Sequence, residues 1–138
     1  MSLGLKLNNP GDIRCSNIMW LGKVAPSRNP DFETFDCIEN GIRAVGVTLL
    51  TYFNVHGLKT LREMANRYAP PSENNTTIYV ETLADRTGFD PDYPLSFPND
   101  LEAVVASFLD AEQGHEVSQI TPEQISEGVK RAIASEKV

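Results

Sequence analysis

Between Asn99 and Gly114, Leu101, Val104, Val105, Phe108 and Leu109 stand at offsets 0, 3, 4, 7 and 8, the spacing of one face of an α-helix. A chain built around such a face must bury it against other helices. Asn99 and Glu102 have capping-box spacing, which places the start of this helix at Asn99, with Asn in the Ser/Thr position. The same period runs through Ile42, Val45, Leu49, Tyr52 and Phe53, and His56-Gly57 ends that segment. Thr60 with Glu63 opens a further helix through Leu61, Met64, Ala65 and Tyr68, stopped by Pro70-Pro71. Another starts between Ser72 and Asn75 and runs through Ile78, Tyr79, Leu83 and Arg86 to Gly88, a residue able to take the left-handed conformation that closes a helix. Thr121-Pro122-Glu123-Gln124 offers an N-cap, an N1 proline and an N3 glutamine, opening a last helix through Ile125, Val129, Ala132 and Ile133. That makes five helices.

Residues 7–36 follow no such period. Asn8-Asn9-Pro10-Gly11 and Ala25-Pro26-Ser27-Arg28-Asn29-Pro30 supply turn formers, and Ile13, Trp20, Val24, Phe32 and Phe35 suit short extended segments. The expected fold is mainly α, about five helices with a short N-terminal β-hairpin and loop region. A length of 138 residues fits a single domain over 1–138, with residues 1–6 a leader or disordered stretch and the last few residues frayed.

The net charge is −7, of which −5 falls in residues 99–138, so charge draws no part of the chain toward a phosphate backbone. Nucleic acid is not an expected partner. The apolar stretch Ile42–Phe53 is too short to span a bilayer, and the N-terminus lacks the basic start and apolar run of a secretory signal. Cys15 and Cys37 form no CxxC pair and sit near no histidine cluster, so neither a metal nor a cofactor is expected. The two thiols read as small buried apolar side chains before they read as a disulfide.

Motifs for nucleotide binding, zinc proteolysis and hydrolase elbows are absent. His56 and His115 both sit at glycine-flanked helix ends, which leaves carboxylates as the candidates for chemistry. Glu112 follows the apolar face of Phe108-Leu109. A carboxyl where a helix leaves the core is partly desolvated, stays protonated and can act as a general acid on a glycosidic oxygen. The competing reading makes Glu112 an exposed last-turn residue and Gly114 a C-cap. Glu39 and Glu73 read as first-turn residues, where the helix dipole favours the charged form. Aromatic side chains interleaved with asparagines, among them Trp20, Tyr68, Tyr79 and Asn74, suit sugar rings and equally serve as core and turn formers.

Taken together, Asn8-Asn9-Pro10-Gly11-Asp12-Ile13-Arg14, Trp20-Leu21-Gly22, Glu39-Asn40-Gly41-Ile42-Arg43-Ala44, Tyr68-Ala69-Pro70-Pro71-Ser72-Glu73-Asn74-Asn75-Thr76 with Tyr79, Thr87-Gly88-Phe89 and Glu112-Gln113-Gly114 resemble a family of phage and prophage virion structural proteins. The first and fourth of these blocks are also similar to segments of bacterial cell-wall glucosaminidases and other lysozyme-like muralytic enzymes. The resemblance implies a lysozyme-like domain acting on peptidoglycan glycan strands. Glu112 would be its single catalytic acid, and Trp20, Tyr68, Asn74, Tyr79 and Arg14 would contact substrate. A group of the substrate itself would replace a second protein carboxylate. In the muralytic enzymes the catalytic glutamate precedes the Asn-Pro segment, whereas here only a few residues do. Glu112-Gln113-Gly114 would supply an equivalent from the other end of the chain. The resemblance further implies peptidoglycan glycan and other virion proteins as partners, and a protein carried in the virion or made in the host cytoplasm and later delivered to the wall. The alternative is a non-catalytic virion or glycan-binding component on the same scaffold. A small partner protein using its acidic last helix, through Glu123 and Glu127, is a third possibility.

Overall fold

A computed structural model describes residues 1–136. Along the chain it contains α1 (Leu3–Lys6), β1 (Lys23–Val24), β2 (Thr34–Phe35), α2 (Ile38–Asn54), α3 (Leu61–Tyr68), α4 (Thr76–Thr87), α5 (Leu101–Gln113), a 3₁₀ segment (Gly114–Gln119) and α6 (Pro122–Ser135). The fold is mainly helical, as the apolar periodicity predicts, with a small antiparallel hairpin in the turn-rich N-terminal region.

Helix α5 runs through the middle of the bundle. Leu101, Val104, Val105, Phe108 and Leu109 are all fully buried, so the five positions of the predicted face are its core contacts. Burying one such side chain contributes about 1.5–3 kcal/mol, which makes this helix the natural anchor of the fold. Around it, α2 supplies Ile42, Val45 and Leu49, α3 supplies Leu61 and Met64, α4 supplies Leu83, and α6 supplies Val129 and Ala132. Helices α2 and α6 lie close because glycines face side chains across the contact. A Cβ on Gly46 would come within 2.7 Å of the Ala132 Cβ, and one on Gly128 within 2.6 Å of the Ile42 Cβ.

The helix ends follow sequence chemistry with three departures. Thr121 and Gln124 form the complete reciprocal capping box, and Gly88 closes α4 at φ +76°. Thr60 caps the Glu63 amide, but the Glu63 carboxylate receives the Lys59 amide at 2.9 Å instead of the Thr60 amide. Helix α5 begins after Asp100, not Asn99, because the Asp100 carboxylate takes the Ser96 amide at 2.7 Å and sets the preceding turn. Helix α2 ends at Asn54, ahead of His56-Gly57. Residues 3–6, too short to carry a period, form a helical turn with Gly4 and Leu5 buried. The expected fraying of the last residues falls partly on 137–138, outside the described residues.

The N-terminal segment is held mainly by polar contacts. Lys23 pairs with Phe35 and Val24 with Thr34, while Arg14 bridges Phe32 alongside. Asn9, fully buried, donates to the Ile13 and Glu33 carbonyls and accepts the Ile13 amide, each at 2.9 Å. Glu33, also buried, is paired with Lys23 at 3.1 Å and accepts the Ser16 amide. Gly41 of α2 lies directly under the Asn8 carbonyl oxygen, where any Cβ would collide. The segment is thereby seated on the N-terminal turns of α2. The cysteines differ from the buried pair expected: both are free thiols, Cys15 exposed on the loop and Cys37 half-buried at the N-cap of α2.

Candidate functional site

Where the N-terminal segment meets the bundle, a cavity of about 210 Å³ is lined by Gly11, Asp12, Arg14, Phe32, Tyr68, Ala69, Glu73, Asn74 and Glu112. The first four come from the segment, the next four from the end of α3 and the turn after it, and Glu112 from the last turn of α5. Glu112 lies one residue before the end of α5, which Gly114 closes at φ +59°. Of the residues singled out in the sequence, Glu112, Tyr68, Asn74 and Arg14 meet here.

Tyr79 does not line the cavity but stands behind it, buried on α4, donating its hydroxyl to Glu112 Oε2 at 2.7 Å. The Tyr68 hydroxyl donates to the Gly11 carbonyl at 2.6 Å. Both tyrosine rings meet Phe108 edge-on, at 5.0 and 5.8 Å between centroids, so the bundle core fixes the back wall. Trp20 is not among the lining residues. It sits half-buried in the loop before β1, where no periodicity could have told which way an aromatic ring faces.

The carboxyl groups define the electrostatics. Glu112 is pushed up to about 8, first by burial and then by its hydrogen bond to the Asp12 carboxyl, against the lowering effect of the Tyr79 hydroxyl. Asp12 is also raised by burial, offset by its hydrogen bonds to Glu112 and Gln113. Two carboxyls in hydrogen-bond contact cannot both ionise cheaply, so the pair retains a proton near neutral pH. Burial raises Tyr68 and Tyr79 well above the ordinary tyrosine range, reinforced by the Glu112 charge, and both stay neutral donors.

Asp12 and Glu73 have little signal in the sequence. Asp12 lies in a turn, at φ +50°, a left-handed conformation uncommon outside glycine that aims it back at the end of α5. Gln113 holds that turn from the bundle side, donating to the Pro10 carbonyl at 2.8 Å and accepting from the Ser2 hydroxyl. Glu73, expected in a helix first turn, precedes α4 altogether and faces the cavity, because Asn75 is the residue that caps the helix. Glu39 does occupy the first turn of α2. Arg14 is exposed, with its guanidinium over the Phe32 ring at 5.4 Å. Among the described residues no three His, Cys, Asp or Glu side chains are grouped to hold a metal ion, and no helix is long and apolar enough to cross a membrane.

The class these features define is a mainly helical protein in which a carboxyl pair, retaining one proton near neutral pH, sits at the seam of bundle and loop. The chain is 32% identical over 114 residues to Protein P5 of Pseudoalteromonas phage PM2, an alignment covering 80% of this chain and 71% of that protein. It belongs to the family of that phage protein. No protein-family model matches the chain.

Proposed function

We propose that this phage-family protein cleaves glycosidic bonds in peptidoglycan glycan strands, with Glu112 as the general acid. One observation carries the reading: a carboxyl that keeps its proton to about pH 8 opens onto a cavity walled by tyrosine, asparagine and arginine side chains. A proton donor of that kind is what breaking an acetal requires, since the leaving alkoxide must be protonated as the C–O bond lengthens. Tyr79 would orient the acid, Tyr68 would present its ring edge and hydroxyl oxygen, and Asn74 and Arg14 would donate to sugar hydroxyls or acyl groups at the rim. The resemblance of the Asn8–Arg14 and Tyr68–Thr76 blocks to cell-wall glucosaminidases supports the substrate class. Membership of a phage protein family agrees with delivery in a virion or from the host cytoplasm.

The test is incubation of the purified protein with peptidoglycan sacculi, wild type beside Glu112→Gln, with mass analysis of soluble fragments. Wild type should release muropeptide-bearing glycan fragments. Glu112→Gln should lose about 10²–10⁴-fold in rate while still binding sacculi. Equal release by both proteins would remove Glu112 from the mechanism.

One observation favours a second reading. The Asp12–Glu112–Gln113 group also ties the N-terminal segment to α5, and 210 Å³ is below the roughly 300–1,000 Å³ of most ligand pockets. A non-catalytic virion or glycan-binding component would use the same carboxyls as a polar tie, and its wild type would bind sacculi without releasing fragments.

A further inference from the structure

If the cavity cleaves a glycosidic bond, Glu112 supplies the proton but leaves the anomeric carbon without its second partner. Asp12 does not fill that place. Its carboxyl is hydrogen-bonded to Glu112. A carboxylate nucleophile stands about 5–5.5 Å from the acid, and a base acting through water about 6.5–9.5 Å. A third carboxylate lines the same cavity from a separate element. Glu73 is exposed and makes no ion pair among the described residues.

Its position is set by the turn that carries it. The amides of Glu73 and Asn74 both donate to the Pro70 carbonyl, at 2.9 and 3.0 Å. The Thr76 hydroxyl ties the start of α4 back to the Ala69 carbonyl at 2.7 Å. Glu73 and Glu112 reach this one cavity of about 210 Å³ from separate elements, with room between its walls for water. One carboxyl is buried and protonated, and the other is solvated and unpaired. That split of environments divides the acid role from the base role.

We propose that Glu73 is the second catalytic carboxylate, the base that activates water in a hydrolysis with inversion. The inference rests on the glycan-cleaving reading above. In the step, the Glu112 proton passes to the glycosidic oxygen, the bond from that oxygen to the anomeric carbon breaks, and the alcohol leaves. The water oxygen bonds to the anomeric carbon as its proton passes to Glu73. Glu112 ends ionised and Glu73 protonated, and exchange with solvent resets both.

The experiment compares wild type, Glu73→Gln, Glu73→Ala and Glu112→Gln on purified peptidoglycan glycan strands. Mass spectrometry identifies the new chain ends, circular dichroism checks the fold, and pelleting measures glycan binding. Wild type should give reducing ends that have gained one water. Glu73→Gln should bind glycan normally and turn over about 10²–10⁴-fold more slowly. Sodium azide should restore turnover to Glu73→Ala with a glycosyl azide as product, which a merely structural Glu73 would not allow. Anhydro ends from wild type, or a Glu73→Gln rate equal to wild type, would overturn the assignment while leaving Glu112 as the acid. Loss of turnover with loss of glycan binding and no azide rescue would also overturn it. No fragments from a folded wild type would bring down the glycan-cleaving reading itself, and Glu73 with it.

Discussion

The helical bundle and the N-terminal segment are stabilised in different ways. In the bundle, α5 and its neighbours are held by apolar side chains that recur once per turn, so each helix carries its own instruction for which face to bury. In residues 7–36, where Leu7 and Phe35 are buried apolar side chains, most ties are individual polar contacts: Asn9 to two carbonyls and an amide, Glu33 to Lys23, the Asn8 side-chain amide to the Phe35 carbonyl. Apolar burial tolerates small shifts, whereas a buried polar group that loses its partner carries the full cost of desolvation. The cavity lies where the two regimes meet. Glu112 comes from the last turn of α5, and Asp12, Arg14 and Phe32 come from the loop that polar contacts hold in register.

Breaking the bundle should have the largest effect. Phe108 is fully buried at the centre of α5 and backs both Tyr68 and Tyr79. Phe108→Ala should cost about 3–5 kcal/mol in a urea unfolding curve. Breaking the loop regime should cost less in stability but more in function per kcal/mol. Asn9→Ala strands the buried Glu33 carbonyl and the Ile13 amide, while the Ile13 carbonyl keeps the Glu33 amide, for about 2–4 kcal/mol. It should also release Asp12 from Glu112, so glycan cleavage should fall further than in Phe108→Ala when both are compared below their unfolding transitions. A bundle change away from the seam sharpens the contrast. Thr121→Ala removes the capping box of α6, should cost about 1 kcal/mol, and should leave cleavage at the wild-type rate. If Thr121→Ala and Asn9→Ala impaired cleavage equally, the seam would have no special standing.

The two regions also differ in how much of them is legible in the sequence. Leu101 through Leu109 announce a helix and its buried face because every partner in the pattern is one turn away. The hairpin is foreshadowed only by turn formers and extended residues, and its register rests on Lys23 meeting Phe35, which no local pattern encodes. Within the site, Glu112 could be singled out from its place at the end of an apolar face. Its partner Asp12 could not, since the two are far apart in the chain and meet only after the segment folds back onto α5. Glu73 was masked by its nearness to the α4 start, where Asn75 takes the capping role. Trp20 is placed in the site by its residue type and by the resemblance of its segment, and the structure leaves it outside the cavity lining.

Glu112 protonation is linked to stability. A carboxyl raised in the folded state binds more protons than in the unfolded chain, so its contribution is fully present below pH 4.5 and is lost as pH rises toward about 8. Asp12, also raised, acts in the same direction. Wild type should therefore lose stability relative to Glu112→Gln across that window, as followed by thermal unfolding at stepped pH.

The most direct measurement is a pH titration of the Glu112 side-chain carboxyl carbon by NMR on selectively labelled protein, assigned with Glu112→Gln. A midpoint near 8, shifting downward in Asp12→Asn, is the predicted result, because the amide would donate to Glu112 and favour its ionised form. A midpoint in the ordinary carboxylate range would contradict the account, since Glu112 would then hold no proton to give at neutral pH.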